Sequence, residues 1–233
     1  MRLDKFICDC TGKTRTEVKK NIKQHRVSVN GEVMLKSDIK IDEYADKVYL
    51  DKAELIYRKY IYLMLNKPGG VVSATYDNKY KTVVDLLSEE YRHFEPFPVG
   101  RLDIDTEGLL ILTNDGDLAH KLISPKYKVY KKYYAKLEKA FSDSYKKAFE
   151  EGVVIDGYKT LPAIFESISE NEVYLSIYEG KFHQVKRMFE AVGNKVVFLK
   201  RISFGNVELD DTLLAGEMRE LTASELKALG GKA

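Results

Sequence analysis

The sequence predicts an α+β fold in two parts: a small basic module with a linker over residues 1–59, and a larger domain over residues 60–233. The length of 233 residues suits one large domain or two unequal ones. Residues 1–40 carry ten basic and five acidic side chains, a net charge of +5, whereas the rest of the chain carries −3. From residue 61 onward, apolar strand-like runs alternate with short helical stretches, which indicates a mixed, largely antiparallel sheet flanked by helices.

The first module should contain two short helices. Apolar residues recur at helical spacing from Leu3 to Ile7, which predicts the first helix. Thr14 followed by Glu17 forms a capping box, which predicts a second helix that ends near Gln24.

A small hairpin should follow these helices. Residues 27–29 alternate in polarity, Asn30 and Gly31 are a strong two-residue turn signal, and residues 32–35 return. Residues 51–60 have mixed charge without Pro or Gly and are interpreted as a link to the larger domain. The basic helix face is either a phosphate-binding surface or simply a solvated face.

These residues resemble an S4 RNA-binding domain. The resemblance covers residues 2–6 and 14–31 and implies binding to structured RNA, without implying any chemistry. The basic residues that we expect to contact RNA in this module are Arg2, Lys5, Arg15, Lys19, Lys20 and Arg26.

In the larger domain, the sequence pattern predicts specific strands and helices. The strands are predicted at residues 61–66, 109–113, 132–138, 172–177 and 196–202, and the helices at 82–87, 117–123, 142–151 and 183–191.

Composition argues against several classes of protein. The charged start lacks the apolar region of a signal peptide, and no apolar run approaches the roughly 18 residues that span a bilayer. We therefore expect a cytoplasmic protein without membrane contact.

Cys8 and Cys10 are too close in sequence for an unstrained disulfide and cannot by themselves hold zinc.

Three acids directly precede an apolar run that suits a buried strand. Asp103, Asp105 and Glu107 lie just before residues 109–112, and a loop entering a rigid strand is a good place for a reactive carboxylate. The acids could equally be turn and capping residues. A glycosidase with paired carboxylates is a further alternative, although the chain has no Trp to stack on a sugar.

Residues 121–139 combine seven Lys and one acid with four Tyr. Basic residues interleaved with aromatic ones suit single-stranded nucleic acid, because phosphates bind Lys and bases stack on rings. The alternative is an edge strand protected by Lys, with its Tyr packed inward.

The third segment of interest is a predicted amphipathic helix near residues 183–191. Lys186 and Arg187 lie off its apolar stripe, where a cation could pair with a carboxylate from another segment and keep that carboxylate ionised. His183 is interpreted as a structural or RNA-contacting residue rather than a metal ligand.

In this order and spacing, the three segments resemble the RsuA family of pseudouridine synthases. Residues 66–70, 201–209 and 214–221 extend the resemblance over essentially the whole chain. The resemblance implies conversion of an rRNA uridine to pseudouridine, a redox-neutral isomerisation that needs no cofactor and no metal.

The resemblance also implies roles for individual residues. Asp103 matches the catalytic aspartate, Tyr133 the tyrosine that stacks on the target base, and Lys186 the basic partner of the aspartate. Arg101 matches the residue that fills the gap left by the flipped uridine. Lys131 and Arg187 are expected to contact RNA.

Within the family, the motifs are most similar to those of the small-subunit enzyme, which implies uridine 516 of 16S rRNA as the target. The expected substrate is a partly assembled small ribosomal subunit, and the protein is expected to act as a monomer. The alternatives are a 23S rRNA synthase of the same family and a non-catalytic RNA-binding or ribosome assembly factor that contains an S4 domain.

Overall fold

The structure, a computed structural model, describes residues 1–231 and divides into two units. The first unit is Met1–Ile61 together with Leu87–Pro96, and the second is Tyr62–Leu86 together with the chain from Phe97 onward. The predicted single boundary after residue 59 therefore misses a segment of ten residues that belongs with the first unit. Its Phe94 packs there, with the guanidinium carbon of Arg58 5.3 Å from the ring centroid.

In the first unit, two helices pack on a four-stranded sheet of order β2-β1-β3-β4. The apolar core lies between them and includes Phe6, Ile22 and Val48. The elements of this unit are α1 (Leu3–Thr11), α2 (Arg15–Lys23), β1 (Val27–Val29), β2 (Glu32–Val33), β3 (Val48–Leu50), β4 (Ala53–Leu55) and α3 (Glu89–Arg92).

The predicted local signals are confirmed in this unit. Thr14 and Glu17 make both hydrogen bonds of the capping box at the start of α2. Asn30 and Gly31 have φ angles of 52° and 89°, the two positive values that a type I′ hairpin turn requires. The interpretation of residues 51–60 as a simple link is wrong, because β4 pairs with β3 there.

A nine-stranded sheet organises the second unit. Seven strands follow the order β11-β12-β8-β13-β7-β5-β15, and β14 and β6 pair with β13 and β7. A separate hairpin joins β9 and β10. The strands are β5 (Tyr62–Lys67), β6 (Phe97–Pro98), β7 (Glu107–Thr113), β8 (Lys131–Leu137), β9 (Val154–Ile155), β10 (Tyr158–Lys159), β11 (Ile164–Ser169), β12 (Glu172–Ile177), β13 (Val196–Phe204), β14 (Val207–Glu208) and β15 (Met218–Glu220).

Helices cover the sheet. Leu118 and Leu122 of the first of these helices pack in one apolar cluster with Leu109 and Ile111 of β7. Phe149 packs edge-to-face on Phe189, with ring centroids 5.1 Å apart. The helices are α4 (Gly116–Ile123), α5 (Ser144–Glu151), α6 (Gln184–Ala191) and α7 (Ala223–Ala228), and a short 3₁₀ helix, Val84–Leu86, replaces the helix predicted at residues 82–87.

The sheet is mixed and largely antiparallel, which confirms the predicted fold class. Its parallel pair is β13 with β7, where Arg201 aligns with Gly108. Gly108 has a φ of 98°, and a Cβ atom there would lie 2.3 Å from the main-chain oxygen of Arg201. Only glycine permits this close approach of the two strands at the end of the loop that carries Asp103.

Two further sequence expectations can be compared with the fold. β8 lies between β12 and β13, so the alternative that residues 131–137 form an edge strand is wrong. Cys8 and Cys10 are free, partly buried thiols. Within residues 1–231, no helix is both long enough and apolar enough to span a membrane.

Candidate active site

Asp103 lies in a loop whose main chain is held on both sides. The N–H of Leu102 donates to the hydroxyl of Ser73 at 3.0 Å, and that hydroxyl donates to the carbonyl of Leu102 at 3.0 Å. The carbonyl of Ile104 accepts from the N–H of Gly70 at 2.7 Å. The Asp103 side chain retains 25% of its exposure. The loop therefore presents a partly open carboxylate from a fixed backbone.

Lys67 holds the same loop from the protein interior. Its side chain is fully buried at the end of β5, and its ammonium donates to the carbonyls of Pro68, Ile104 and Thr106 at 2.9, 3.3 and 2.8 Å. Burial lowers the pKa of Lys67 to about 8, although the carboxylates of the loop partly offset this effect. A buried ammonium thus braces the two peptide carbonyls that flank Asp105.

Lys186 of α6 lies between the two aspartates and contacts them unequally. It donates to both carboxylate oxygens of Asp105, at 2.6 and 2.7 Å, and its nitrogen lies 3.8 Å from the carboxylate of Asp103. Burial alone would raise the pKa of Asp105, but the hydrogen bonds and charge of Lys186 lower that pKa below its usual value. The expected partnership of Lys186 with Asp103 is therefore an ion pair of 3.8 Å, while the hydrogen bonds go to Asp105.

His183 approaches Asp103 from the same side. Its Nε2 atom lies 3.7 Å from a carboxylate oxygen of Asp103. The residue has a φ of 51° and occupies the N-cap position of α6, where its side chain makes no capping hydrogen bond. Asp103 consequently has an imidazole and an ammonium at nearly equal distances.

The turn before α6 is built on the buried carboxylate of Glu179. It accepts from the Tyr158 hydroxyl, the Leu161 N–H and the Gln184 amide at 2.8, 2.8 and 2.7 Å. The side-chain oxygen of Gln184 in turn accepts from the N–H of Lys181 at 2.8 Å. These bonds fix the turn that carries His183 and leads into the first turn of α6, where Lys186 lies.

Tyr133 is in register with Gly108, the residue of β7 that follows the Asp103 loop. It pairs with Arg201 of β13, Arg201 aligns with Gly108 of β7, and Gly108 pairs with Lys67 of β5. The four residues form one row across four strands, and adjacent strands in a sheet are about 4.8 Å apart. The Tyr133 side chain is 8% exposed. The row places Tyr133 roughly 10 Å, two strand spacings, from the strand that the Asp103 loop enters.

Of the remaining residues expected to contact RNA in the second unit, only Arg101 is exposed and close in sequence to Asp103. Lys131 is 6% exposed, with its ammonium 5.4 Å from the centroid of the Phe204 ring, and its contact with RNA stays a prediction. It shares with Tyr133 the buried side of β8. Arg187 is only half-buried but forms an ion pair with Asp156.

The six basic residues of the first unit that were predicted to contact RNA fall into two groups. Arg2, Lys5 and Arg26 form ion pairs with Asp4, Asp9 and Asp51. Within residues 1–231, the exposed side chains of Arg15, Lys19 and Lys20 have no ion-pair partner within 4 Å. This second group leaves a cationic stripe along α2.

Sequence reasoning missed the residues that support the site from within the protein. Lys67, Ser73, Glu179 and Gln184 contact main-chain atoms rather than substrate-facing groups. Lys67 did carry a signal, since it lies in the same strand as the apolar run Leu63–Leu65, where a charge needs partners. Among the described residues, no group of three or more His, Cys, Asp and Glu side chains could hold a metal ion.

Comparison with known proteins identifies the family of this chain. The family model described as RNA pseudouridylate synthase matches residues 61–191. The chain is 49% identical to "Uncharacterized RNA pseudouridine synthase YtzG" of Bacillus subtilis, with 98% of both chains covered. It is 42% identical to "Ribosomal small subunit pseudouridine synthase A" of Vibrio cholerae, with 98% of this chain and 99% of the relative covered.

A solved structure agrees with this assignment. The structure titled "Crystal structure of pseudouridylate synthase" is 39% identical, covers 98% of this chain and 99% of its own, and superposes with a TM-score of 0.70. The braced aspartate loop, the basic helix start and the sheet that joins them thus belong to a chain with pseudouridine synthase relatives along its full length. The chain belongs to the RNA pseudouridine synthase family and is an enzyme that isomerises uridine in RNA.

Proposed function

We propose that this protein converts uridine 516 of 16S rRNA to pseudouridine, with Asp103 as the nucleophile. The observation that carries the proposal is the environment of Asp103: a carboxylate on a braced loop, 25% exposed, with cationic or protonatable groups of His183 and Lys186 at 3.7 and 3.8 Å. The choice of 16S rRNA is supported by the printed name of the relatives at 41–42% identity, "Ribosomal small subunit pseudouridine synthase A".

The reaction breaks the N1–C1′ bond of uridine and forms a C5–C1′ bond; C5 loses its proton and N1 gains one, either directly or by exchange with solvent. An ionised carboxylate can attack C1′, add to C6 of uracil, or act as a base in an elimination. All three routes use the carboxylate of Asp103, and the Lys186 nitrogen lies 3.8 Å from it. The detached uracil must turn within a site that excludes water before the new bond forms.

The neighbouring residues have complementary roles in this proposal. Tyr133 stacks on the target base and helps proton movement at C5. Arg101, which is exposed two residues before Asp103, fills the gap that the extruded uridine leaves in the RNA. Asp105 is a positioning residue, since it holds Lys186 rather than the substrate.

We assign the first unit to the S4 RNA-binding domain, with the cationic stripe of α2 on RNA phosphates. The substrate is then a partly assembled small ribosomal subunit, bound by one copy of the protein in the cytoplasm where the subunit is made.

The test is to map pseudouridine by carbodiimide modification and primer extension. Unmodified 16S rRNA, 23S rRNA and partly assembled subunits are each incubated with the purified protein. We expect a single new stop at uridine 516 of 16S rRNA. A stop on 23S rRNA would overturn the proposed target, and binding without any stop would favour the assembly-factor alternative.

A further inference from the structure

An exposed aromatic ring directly precedes His183, the residue whose imidazole approaches the candidate nucleophile, and takes no part in the chemistry described above. The Phe182 side chain is 67% exposed, although large apolar side chains are generally buried. The next residue is His183, whose Nε2 atom is 3.7 Å from Asp103. The ring is therefore one residue away from a group that contacts the reactive carboxylate.

The Phe182 ring is held in a defined orientation despite its exposure. It stacks on the imidazole of His183, with centroids 3.7 Å apart and planes inclined by 20°. The positive φ of His183, 51°, turns the chain between the two residues, whereas side chains adjacent in an extended strand point to opposite sides. The guanidinium carbon of Arg187 lies 5.2 Å from the Phe182 centroid, which is within cation–π range.

Cationic residues flank this ring in sequence, and one of them, Arg187, contacts it, which favours a nucleic acid as its occupant. Lys181 precedes Phe182 and is exposed, and Lys186 and Arg187 follow on the first turn of α6. Single-stranded nucleic acids are bound by aromatic rings that stack on bases, set among basic residues that contact phosphates. The ring is exposed, cations are adjacent to it, and the substrate is RNA. We therefore expect this surface to bind a nucleobase.

We propose that Phe182, backed by His183, stacks on the base of a nucleotide adjacent to the target uridine in the bound RNA. This inference rests on the proposed function, since it assigns the occupant of the same site. The target base itself is assigned to Tyr133, so the Phe182 platform contacts a different nucleotide. Stacking there would fix the strand next to the extruded uridine and hold its ribose beside Asp103.

The expected effect follows from the strength of base–aromatic stacking. Removing such a ring weakens binding by about 5- to 150-fold per base. We therefore expect Phe182→Leu, which keeps an apolar side chain of similar size, to weaken RNA binding about tenfold. Phe182→Trp keeps a stacking ring and should bind as the wild type does.

The experiment is a binding cycle with the full chain and three RNA oligonucleotides that span uridine 516. One RNA is intact, and the other two carry an abasic residue immediately 5′ or 3′ of the uridine. The tenfold difference between wild type and Phe182→Leu should persist on two of the RNAs and disappear on the one that lacks the stacked base. Tyr44→Leu, at a ring that is 77% exposed in the first unit, is the matched control and should show no base-dependent difference.

The result separates this inference from the proposed function. An equal loss for Phe182→Leu on all three RNAs, or no loss on any, would overturn the platform. Pseudouridine formation by the wild type in partly assembled small ribosomal subunits is measured in parallel. If the wild type forms none while the base-dependent loss is present, the proposed target fails and the stacking platform stands.

Discussion

Lys186 donates hydrogen bonds to both carboxylate oxygens of Asp105, at 2.6 and 2.7 Å, while its nitrogen remains 3.8 Å from Asp103. Two acids that are similar in sequence therefore differ in their surroundings. Asp105 forms a direct ion pair with Lys186. The oxygens of Asp103, by contrast, lie 3.7 and 3.8 Å from His183 and Lys186. Asp103 is less exposed than Asp105, 25% against 67%, but it is the carboxylate that lacks short hydrogen bonds to Lys186.

Replacing Lys186 should damage turnover more than binding. Lys186→Ala removes the positive charge beside Asp103, and the loss of one preorganised charge or donor in an active site reduces rates by about 100- to 1,000-fold. Single-turnover kinetics and filter binding would measure the two effects separately, with Lys186→Arg as the charge-preserving control. A variant with a wild-type rate at saturating RNA and only weaker binding would contradict the placement of Lys186 in the active site.

Replacing Lys67 should loosen the loop that carries Asp103. Lys67→Met leaves the carbonyls of Pro68 and Thr106 without the ammonium donor, while that of Ile104 keeps the N–H of Gly70; we expect this change to lower the free energy of unfolding by about 2 kcal/mol. A shift of the Asp103 carboxylate of about 1 Å would lower the rate about 100-fold. Urea denaturation and single-turnover kinetics on the folded protein test both effects. Unchanged stability together with an unchanged rate would show that the ammonium does not hold the loop.

The cationic stripe of α2 should govern the salt dependence of RNA binding. The triple variant Arg15→Gln, Lys19→Gln, Lys20→Gln removes three cations that have no ion-pair partner in the described chain. The slope of log affinity against log salt should become shallower by roughly 2 to 3. A triple variant of exposed lysines in the second unit, Lys146→Gln, Lys147→Gln, Lys227→Gln, is the control and should keep the wild-type slope.

The C-terminal ion-pair cluster should make stability depend on acid pH. Arg219 binds Glu225 through two nitrogens at 2.8 Å, and its hydrogen bonds lower the pKa of Glu225 from 4.5 to about 2. A lowered carboxyl pKa adds stability that is complete above pH 4.5 and is lost as the pH falls toward 2.

The variant Glu225→Gln tests this dependence, since Gln can still form a capping box with Thr222. At pH 6 it should be about 1 kcal/mol less stable than the wild type, after allowance for partial solvent exposure. Urea denaturation at pH 6 and pH 3 should show this difference shrinking at the lower pH. A difference of the same size at both values would contradict the proposed ionic contribution.

Much of the fold could be predicted because local signals dominate it. The capping box at Thr14, the Asn30-Gly31 turn and the apolar run that became β7 each specify their own structure within a few residues. The short strands were missed for the opposite reason. β4 has three residues, none of them buried, so neither periodicity nor an apolar run marked it.

The site was predictable in its chemistry but not in its pairings. The sequence motifs singled out Asp103, His183 and Lys186. In the structure, His183 and Lys186 lie 3.7 and 3.8 Å from the carboxylate of Asp103. Which aspartate receives the hydrogen bonds of Lys186 depends on a tertiary approach between segments 81 residues apart, which spacing in sequence does not encode. The burial of Lys131 was equally hard to predict. Lys131 and Tyr133 are two residues apart and so lie on one side of β8, but only the packing of the folded chain determines that this side is buried.

The most direct test of the account compares Asp103→Asn with Asp105→Asn in the same assay. Pseudouridine formation in 16S rRNA is measured under single-turnover conditions, together with RNA affinity. We expect Asp103→Asn to form no pseudouridine while it binds RNA as the wild type does, and Asp105→Asn to retain measurable activity. Persistent modification by Asp103→Asn would contradict the assignment of Asp103 as the nucleophile.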